Sequence, residues 1–358
     1  MADMMEYKCP ACGGAMEFDS KSQKMKCPYC DSEMSIEEFQ SMQQTDRRDE
    51  QKEFDMAGGQ WQEGETAGMR VYSCQSCGGE IVAEESTGAA TCPFCGNRVV
   101  MKGQFEGDLK PDYIIPFKLD KKDAKAAYHR HLKGKVFLPP VFRQENHIDE
   151  IKGVYVPFWL FDGDVDADIC YDAQRVRRWE KDDMEYTECT FYKLHRAGKI
   201  SFQHVPADGS RKMDDTLMES IEPYNFEEAV PFETPYLAGY VADRYDVGAQ
   251  ECISRAKERI KRSTQTSFQD TVENYSSVQV ADSRISILKS EYSYALYPVW
   301  LLNTKWQGKK YTFAMNGQTG KMVGDLPFDK KAFQKYVITR GIAIGLVIYV
   351  LMWALMTL

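Results

Sequence analysis

Eight of the eleven cysteines fall in one spacing that is used twice. Cys9 and Cys12 form a Cys-x-x-Cys pair, and fourteen residues separate it from the pair Cys27 and Cys30. The frame returns at Cys74, Cys77, Cys92 and Cys95, with every position displaced by 65. A Cys-x-x-Cys turn brings two thiolates onto one ion, and a second such turn completes a four-sulfur shell. The ligand set therefore points to two structural Zn2+ sites. Four protein ligands leave no open position for water, which argues against chemistry at the metal. Iron in an all-cysteine site would take the same ligands. The competing reading is a secreted disulfide framework. The opening MADMMEYKCPAC lacks a basic stretch followed by an apolar one, so no cleaved signal peptide is expected, and metal ribbons in a reducing cytosol are favoured.

The other residues that could do chemistry are less organised. Cys170, Cys189 and Cys252 read as core residues. The five histidines form no metal pair: His129 and His131 are two apart and face different directions on a helix. In FDGDVDADICYD, Asp162, Asp164, Asp166 and Asp168 alternate, so a strand would carry all four on one face. A calcium loop starting at Asp162 would need Gly and Glu where Ala167 and Ala173 stand, and a solvated strand edge is the simpler reading. NGQTGK at 316–321 lacks the glycine spacing of a phosphate loop and reads as a hairpin turn. With no nucleophile–base arrangement in view, the chain is not expected to be an enzyme.

Elements must position the cysteines. Gly13-Gly14 and Gly78-Gly79 follow the first pair of each frame, where a curled backbone can aim amides at sulfur. Short apolar patches between the pairs predict small β-ribbons over 1–33 and 71–104. The stretch 34–70 reads as a helical, acidic, flexible linker, with Ile36, Phe39 and Met42 at helical spacing. From 111 to 328 the composition turns aromatic and β-branched. Strand, helix, strand and hairpin follow one another twice, and both halves contain Pro-x-Trp-Leu, at Pro157–Leu160 and Pro298–Leu301. The expected fold class is α+β: two N-terminal four-cysteine ribbons, an internally duplicated α+β domain and one C-terminal transmembrane helix over 336–358. Gly341 to Leu358 carries no charge, and Lys330, Lys331, Lys335 and Arg340 precede it. The expectation is a single-pass membrane protein with its N-terminus and main domains in the cytoplasm. Gly341 and Gly345 form a GxxxG, which would suit a homo-oligomer.

Charge separates the candidate partners. The formal net charge is -9, and acids outnumber bases in both ribbons, which disfavours nucleic acid and favours protein contact. Bases collect in 121–135 and 251–262, the helices of the two halves; either a solvated face or attraction to anionic membrane lipid accounts for them.

The whole arrangement resembles the bacterial TFIIB-type zinc-ribbon membrane proteins of the YdjG kind. The resemblance is carried by the CPAC/CPYC and CQSC/CPFC knuckles, GVYVPFWLFD, and YPVWLLNTKWQGKKYTFAMNGQTGKMVGDLP. It implies a membrane-bound cytosolic module working with SPFH-domain scaffold proteins and PspA-type membrane-stress proteins. The functional expectation is thus a membrane-anchored zinc-ribbon adaptor that recruits or scaffolds protein partners. The alternative is a membrane-tethered nucleic-acid-binding protein.

Overall fold

The structure is a computed structural model that describes residues 9, 14–36, 38, 59–62, 64–66, 68–84, 91–104 and 109–357. Most of the linker expected over 34–70 lies outside the described residues, as does Cys12.

The first ribbon is a three-stranded antiparallel sheet of β1 (Glu17–Asp19), β2 (Lys24–Lys26) and β3 (Glu33–Met34). The second ribbon contributes β4 (Met69–Ser73), β5 (Glu80–Glu84) and β6 (Val100–Gln104). These strands do not stand apart: they extend an eleven-stranded mixed sheet that runs through the main domain.

The sheet is organised about two 30-residue strands, β8 (Lys152–Lys181) and β12 (Ser277–Trp306), paired antiparallel with Val156 opposite Tyr297. Each continues into a hairpin: β8 into β9 (Met184–Asp208), and β12 into β13 (Lys309–Asn316) with the short β14 (Met322–Gly324) beyond it. Each also takes a short parallel strand from the other half. β11 (Val241–Asp243) lies on β8, and β7 (Tyr113–Ile114) lies on β12. Outside these, β10 (Val230–Pro231) pairs with β7 while β5 of the second ribbon pairs with β11.

The repeated Pro-x-Trp motif has the same bonding in both halves. Trp159 donates its indole N–H to the Val247 carbonyl at 2.8 Å, and Trp300 donates to the Leu119 carbonyl at 3.0 Å. Each acceptor lies two residues before a helix: α4 (Ala249–Gln269) and α1 (Lys121–Leu132) respectively. The Pro157 carbonyl accepts from Gly209 at 2.8 Å and the Pro298 carbonyl from Gly317 at 2.9 Å. The carbonyls of Gly209 and Gly317 in turn accept from the residues leading into those helices. At Gly317 no side chain fits, because a Cβ would stand 2.6 Å from the Phe117 ring.

Both faces of the sheet are covered, which explains the nearly continuous apolar run VYVPFWLF. Tyr155, Trp159, Leu296 and Trp300 pack beneath α1 and the start of α4, together with Ile148 of the short α2 (Glu145–Ile148). Val154, Val156, Phe158 and Leu160 face the other way, against Met218 and Ile221 of α3 (Asp215–Ile221) and the second ribbon. Beyond Phe161 the pattern becomes strict alternation, and β9, β8 and β12 continue as a projecting three-stranded arm. One face of the arm, with Ala167, Ile169 and Tyr171, is covered by Phe268 at the end of α4. The aspartates occupy the other face. The NGQTGK segment forms the turn between β13 and β14, with Gly320 at φ 79°.

Two expectations are corrected. The fold is a mixed sheet with five α-helices among the described residues, and the second ribbon is part of that sheet. The chain from Lys330 to Thr357 is helical (α5), yet among the described residues no helix is long and apolar enough to cross a membrane. The uncharged part of this helix begins at Gly341. Lys330, Lys331, Lys335 and Arg340 occupy the turns before it. This overturns the transmembrane helix over 336–358 and, with it, the single-pass membrane localisation and the topology drawn from it. Within α5, a Cβ added at Gly341 or Gly345 would meet open space.

Candidate metal centres

The three Cys-x-x-Cys pairs that are fully described, those beginning at Cys27, Cys74 and Cys92, sit in the same backbone turn. Cys74 N–H donates to the Gly79 carbonyl at 2.8 Å, and Gly78 N–H returns to the Cys74 carbonyl at 2.8 Å. Cys92 repeats this with Asn97 and Gly96 at 2.7 and 3.0 Å, and Cys27 with Ser32 and Asp31, both at 2.9 Å. Cys9 N–H bonds the Gly14 carbonyl at 2.8 Å, the corresponding half of the first turn. The fifth residue of each turn is left-handed: Gly78 at φ 71°, Gly96 at 74° and Asp31 at 57°. Glycine adopts this readily and aspartate tolerates it, which accounts for CPYCD where the other knuckles have glycine.

These turns bring the sulfurs together. Cys74, Cys77, Cys92 and Cys95 lie with all Sγ atoms within 4.8 Å of one another, with Cys74–Cys95 at 3.5 Å and Cys77–Cys92 at 3.6 Å. In the first ribbon Cys9, Cys27 and Cys30 form the corresponding group, with Cys9–Cys30 at 3.5 Å; Cys12 falls outside the described residues. A tetrahedral ion with metal–sulfur bonds of about 2.3 Å places its ligands roughly 3.8 Å apart, close to these separations. A disulfide would need about 2.05 Å, well short of the 3.5–3.6 Å between these sulfurs. Both clusters can therefore hold a metal ion.

The second cluster is built into the main domain. Cys74, Cys92 and Phe94 belong to the same apolar cluster as Val154 and Phe158. Burial opposes ionisation of Cys95, but the Asn97 N–H and the neighbouring thiols outweigh it and lower Cys95 to about 7. Lys152 from β8 donates to the Thr91 carbonyl at 2.7 Å, next to Cys92, and Lys212 lies 5.8 Å over the Phe94 ring. Lys212 is held by Asp243 at 3.0 Å and Asp246 at 3.2 Å. Neither lysine carries a sequence signal, because each comes from a strand or loop far along the chain.

The first cluster rests on the domain through a different surface. Phe18 meets Tyr236 edge-on at 5.1 Å, Lys21 pairs with Asp120 at 2.9 Å, and Gln23 donates to the Phe117 carbonyl at 2.6 Å. Of the remaining cysteines, Cys252 is buried as expected, but Cys189 is exposed and Cys170 half-buried on the outer face of the arm.

No family model matches the chain, and no solved structure matches it. An uncharacterized protein of Bacillus subtilis strain 168, YdjG, is 33% identical over 329 residues, covering 91% of this chain and 91% of that protein. At that identity and over that share of both chains, the chain belongs to the YdjG family.

Proposed function

We propose that this protein is a non-enzymatic adaptor whose two ribbons, of the TFIIB type, each hold one structural Zn2+, and whose projecting arm and ribbon surfaces engage protein partners. The observation that carries this reading is the end of the β8–β9 hairpin. There Trp179 stacks on Tyr186 at 5.7 Å between ring centres, Arg177 lies over Trp179, and Met184 stands exposed, while Phe191, exposed at 76%, lies farther back along β9 on the other face. Aromatic, methionine and arginine side chains gathered on a protruding ribbon have the composition of a protein-binding hot spot. Zinc suits the all-thiolate, tetrahedral-sized donor sets, which leave no open ligand position. The resemblance to zinc-ribbon proteins suggests SPFH-domain scaffold and PspA-type proteins as the partners.

The test is co-purification of the full chain from its native extract, with and without nuclease, against a variant in which residues 176–189 are replaced by a short turn. SPFH-domain or PspA-type proteins should accompany the full chain through nuclease treatment and be lost from the variant. Retention of every partner by the variant removes the arm from the proposal. Partners that disappear with nuclease would indicate nucleic acid instead.

A further inference from the structure

The hairpin register assembles a third group of metal-ligating side chains, away from both ribbons. Cys170 on β8 stands directly opposite His195 on β9, and Asp168 is two residues back along β8 on the same face. The carboxylate of Asp168, the Cys170 sulfur and a ring nitrogen of His195 lie within 4.8 Å of one another. His195 Nε2 is 2.6 Å from Asp168 Oδ1. The residue opposite Asp168 on β9 is Ala197, whose small side chain leaves room beside the group. On the other side, β12 places Asp282 opposite Cys170 and Arg284 opposite Asp168.

We propose that Asp168, Cys170 and His195 form a third metal site that takes a borderline divalent cation of the Zn2+ class. The donor set decides the class: a thiolate and an imidazole together select against Mg2+ and Ca2+, which prefer all-oxygen shells. Cys170 binds as the thiolate, its proton passing to solvent. Three protein donors leave the outward position open, which Asp282 or a water can fill. The required movement is small. Ligands about 2.0 Å from a tetrahedral ion stand roughly 3.3 Å apart, so the Asp168–His195 pair needs only to part slightly for an ion to enter. Unlike the ribbons, whose turns the metal would hold together, this site lies on strands already fixed by their ladder. Its ion would cross-link β8 to β9 and stiffen the arm without being needed to fold it.

The experiment uses the full chain with its ribbons loaded. The protein is dialysed to equilibrium against low-micromolar Zn2+ and bound zinc per chain is counted by mass spectrometry. The wild type should hold one ion more than Cys170→Ser or His195→Ala. Cys189→Ser, which alters an exposed cysteine elsewhere on the same hairpin, should match the wild type. In Co2+-exchanged protein, the thiolate-to-cobalt absorption should fall by the contribution of one thiolate in Cys170→Ser. Equal ion counts in wild type, Cys170→Ser and His195→Ala overturn the proposal. Should Cys170→Ser lose its circular dichroism, His195→Gln decides, because its side chain lies on the solvent face. Cys74→Ser removes a ribbon ion and leaves this one, so failure here and failure of the ribbon reading are distinguishable.

Discussion

Asp208 and Asn316 occupy matching places, each at the end of a hairpin strand and each accepting, through its side chain, the N–H two residues on. Asn316 is neutral and donates to the carbonyls of Ile221 and Pro223. Asp208 is buried, and burial together with the neighbouring Asp215 raises it to about 7 against the pull of Arg255. An acid raised in the folded state costs more to ionise there than in the unfolded chain, where it titrates near about 3.9. Its stabilising contribution is therefore complete at low pH and is lost as pH rises through about 7. Asp208→Asn should reduce the loss of stability between about pH 5 and pH 8, read from urea midpoints across that range. Part of the slope should persist, because burial also raises Asp243, to about 6. A variant as pH-dependent as the wild type would show that Arg255 already neutralises Asp208. At this scale the cysteine frames were legible in the sequence because a knuckle is local and fixes its own spacing. The Asp168, Cys170 and His195 group was not, since 24 residues of hairpin separate Cys170 from His195 and only the register unites them.

Among the elements, α4 carries most of the burden outside the sheet. Ala249, Cys252, Ala256, Ile260, Thr264 and Phe268 are its buried residues, at the three-to-four spacing of one helical stripe. The first part of that stripe packs on the central core, and Phe268 reaches the arm. Phe268→Ala should therefore cost about 3–4 kcal/mol locally. It should accelerate hydrogen exchange at residues 167–171 far more than in the central strands. Uniform acceleration throughout the sheet would mean that the arm and the core open as one unit. The sequence of strand, helix and hairpin elements could be read from periodicity and turn residues. The pairing of β5 with β11 could not: long-range strand contacts leave no local pattern, and so the second ribbon looked like a free module. The membrane expectation for the stretch after Arg340 rests on hydropathy and flanking charge, and among the described residues no helix is long and apolar enough to meet it.

For the molecule as a whole, the second ribbon and the central sheet share one apolar cluster, so a metal held by that ribbon would be coupled to the fold. Structural zinc contributes about 10–16 kcal/mol to small ribbon peptides, so removing the ion proposed for the second ribbon should release Cys74, Cys92 and Phe94 from the packing around Val154 and Phe158. Treatment with a strong chelator should then lower the thermal midpoint followed through the tryptophans, including Trp159 and Trp300 of the main domain. If only ribbon signals change and the tryptophan transition stays in place, the two parts are energetically separate.

The exchange of short strands across the central pair makes each half depend on the other. β7 completes the strand of the second half and β11 that of the first, so neither half closes its own sheet. A chain holding only one half would leave one edge of its long strand open, the other being held by its hairpin, and would give its short strand nowhere to lie. Both needs are met when two identical copies embrace. The present single chain joins two such halves covalently, one ending its long hairpin at Asp208 and the other ending its shorter one at Asn316.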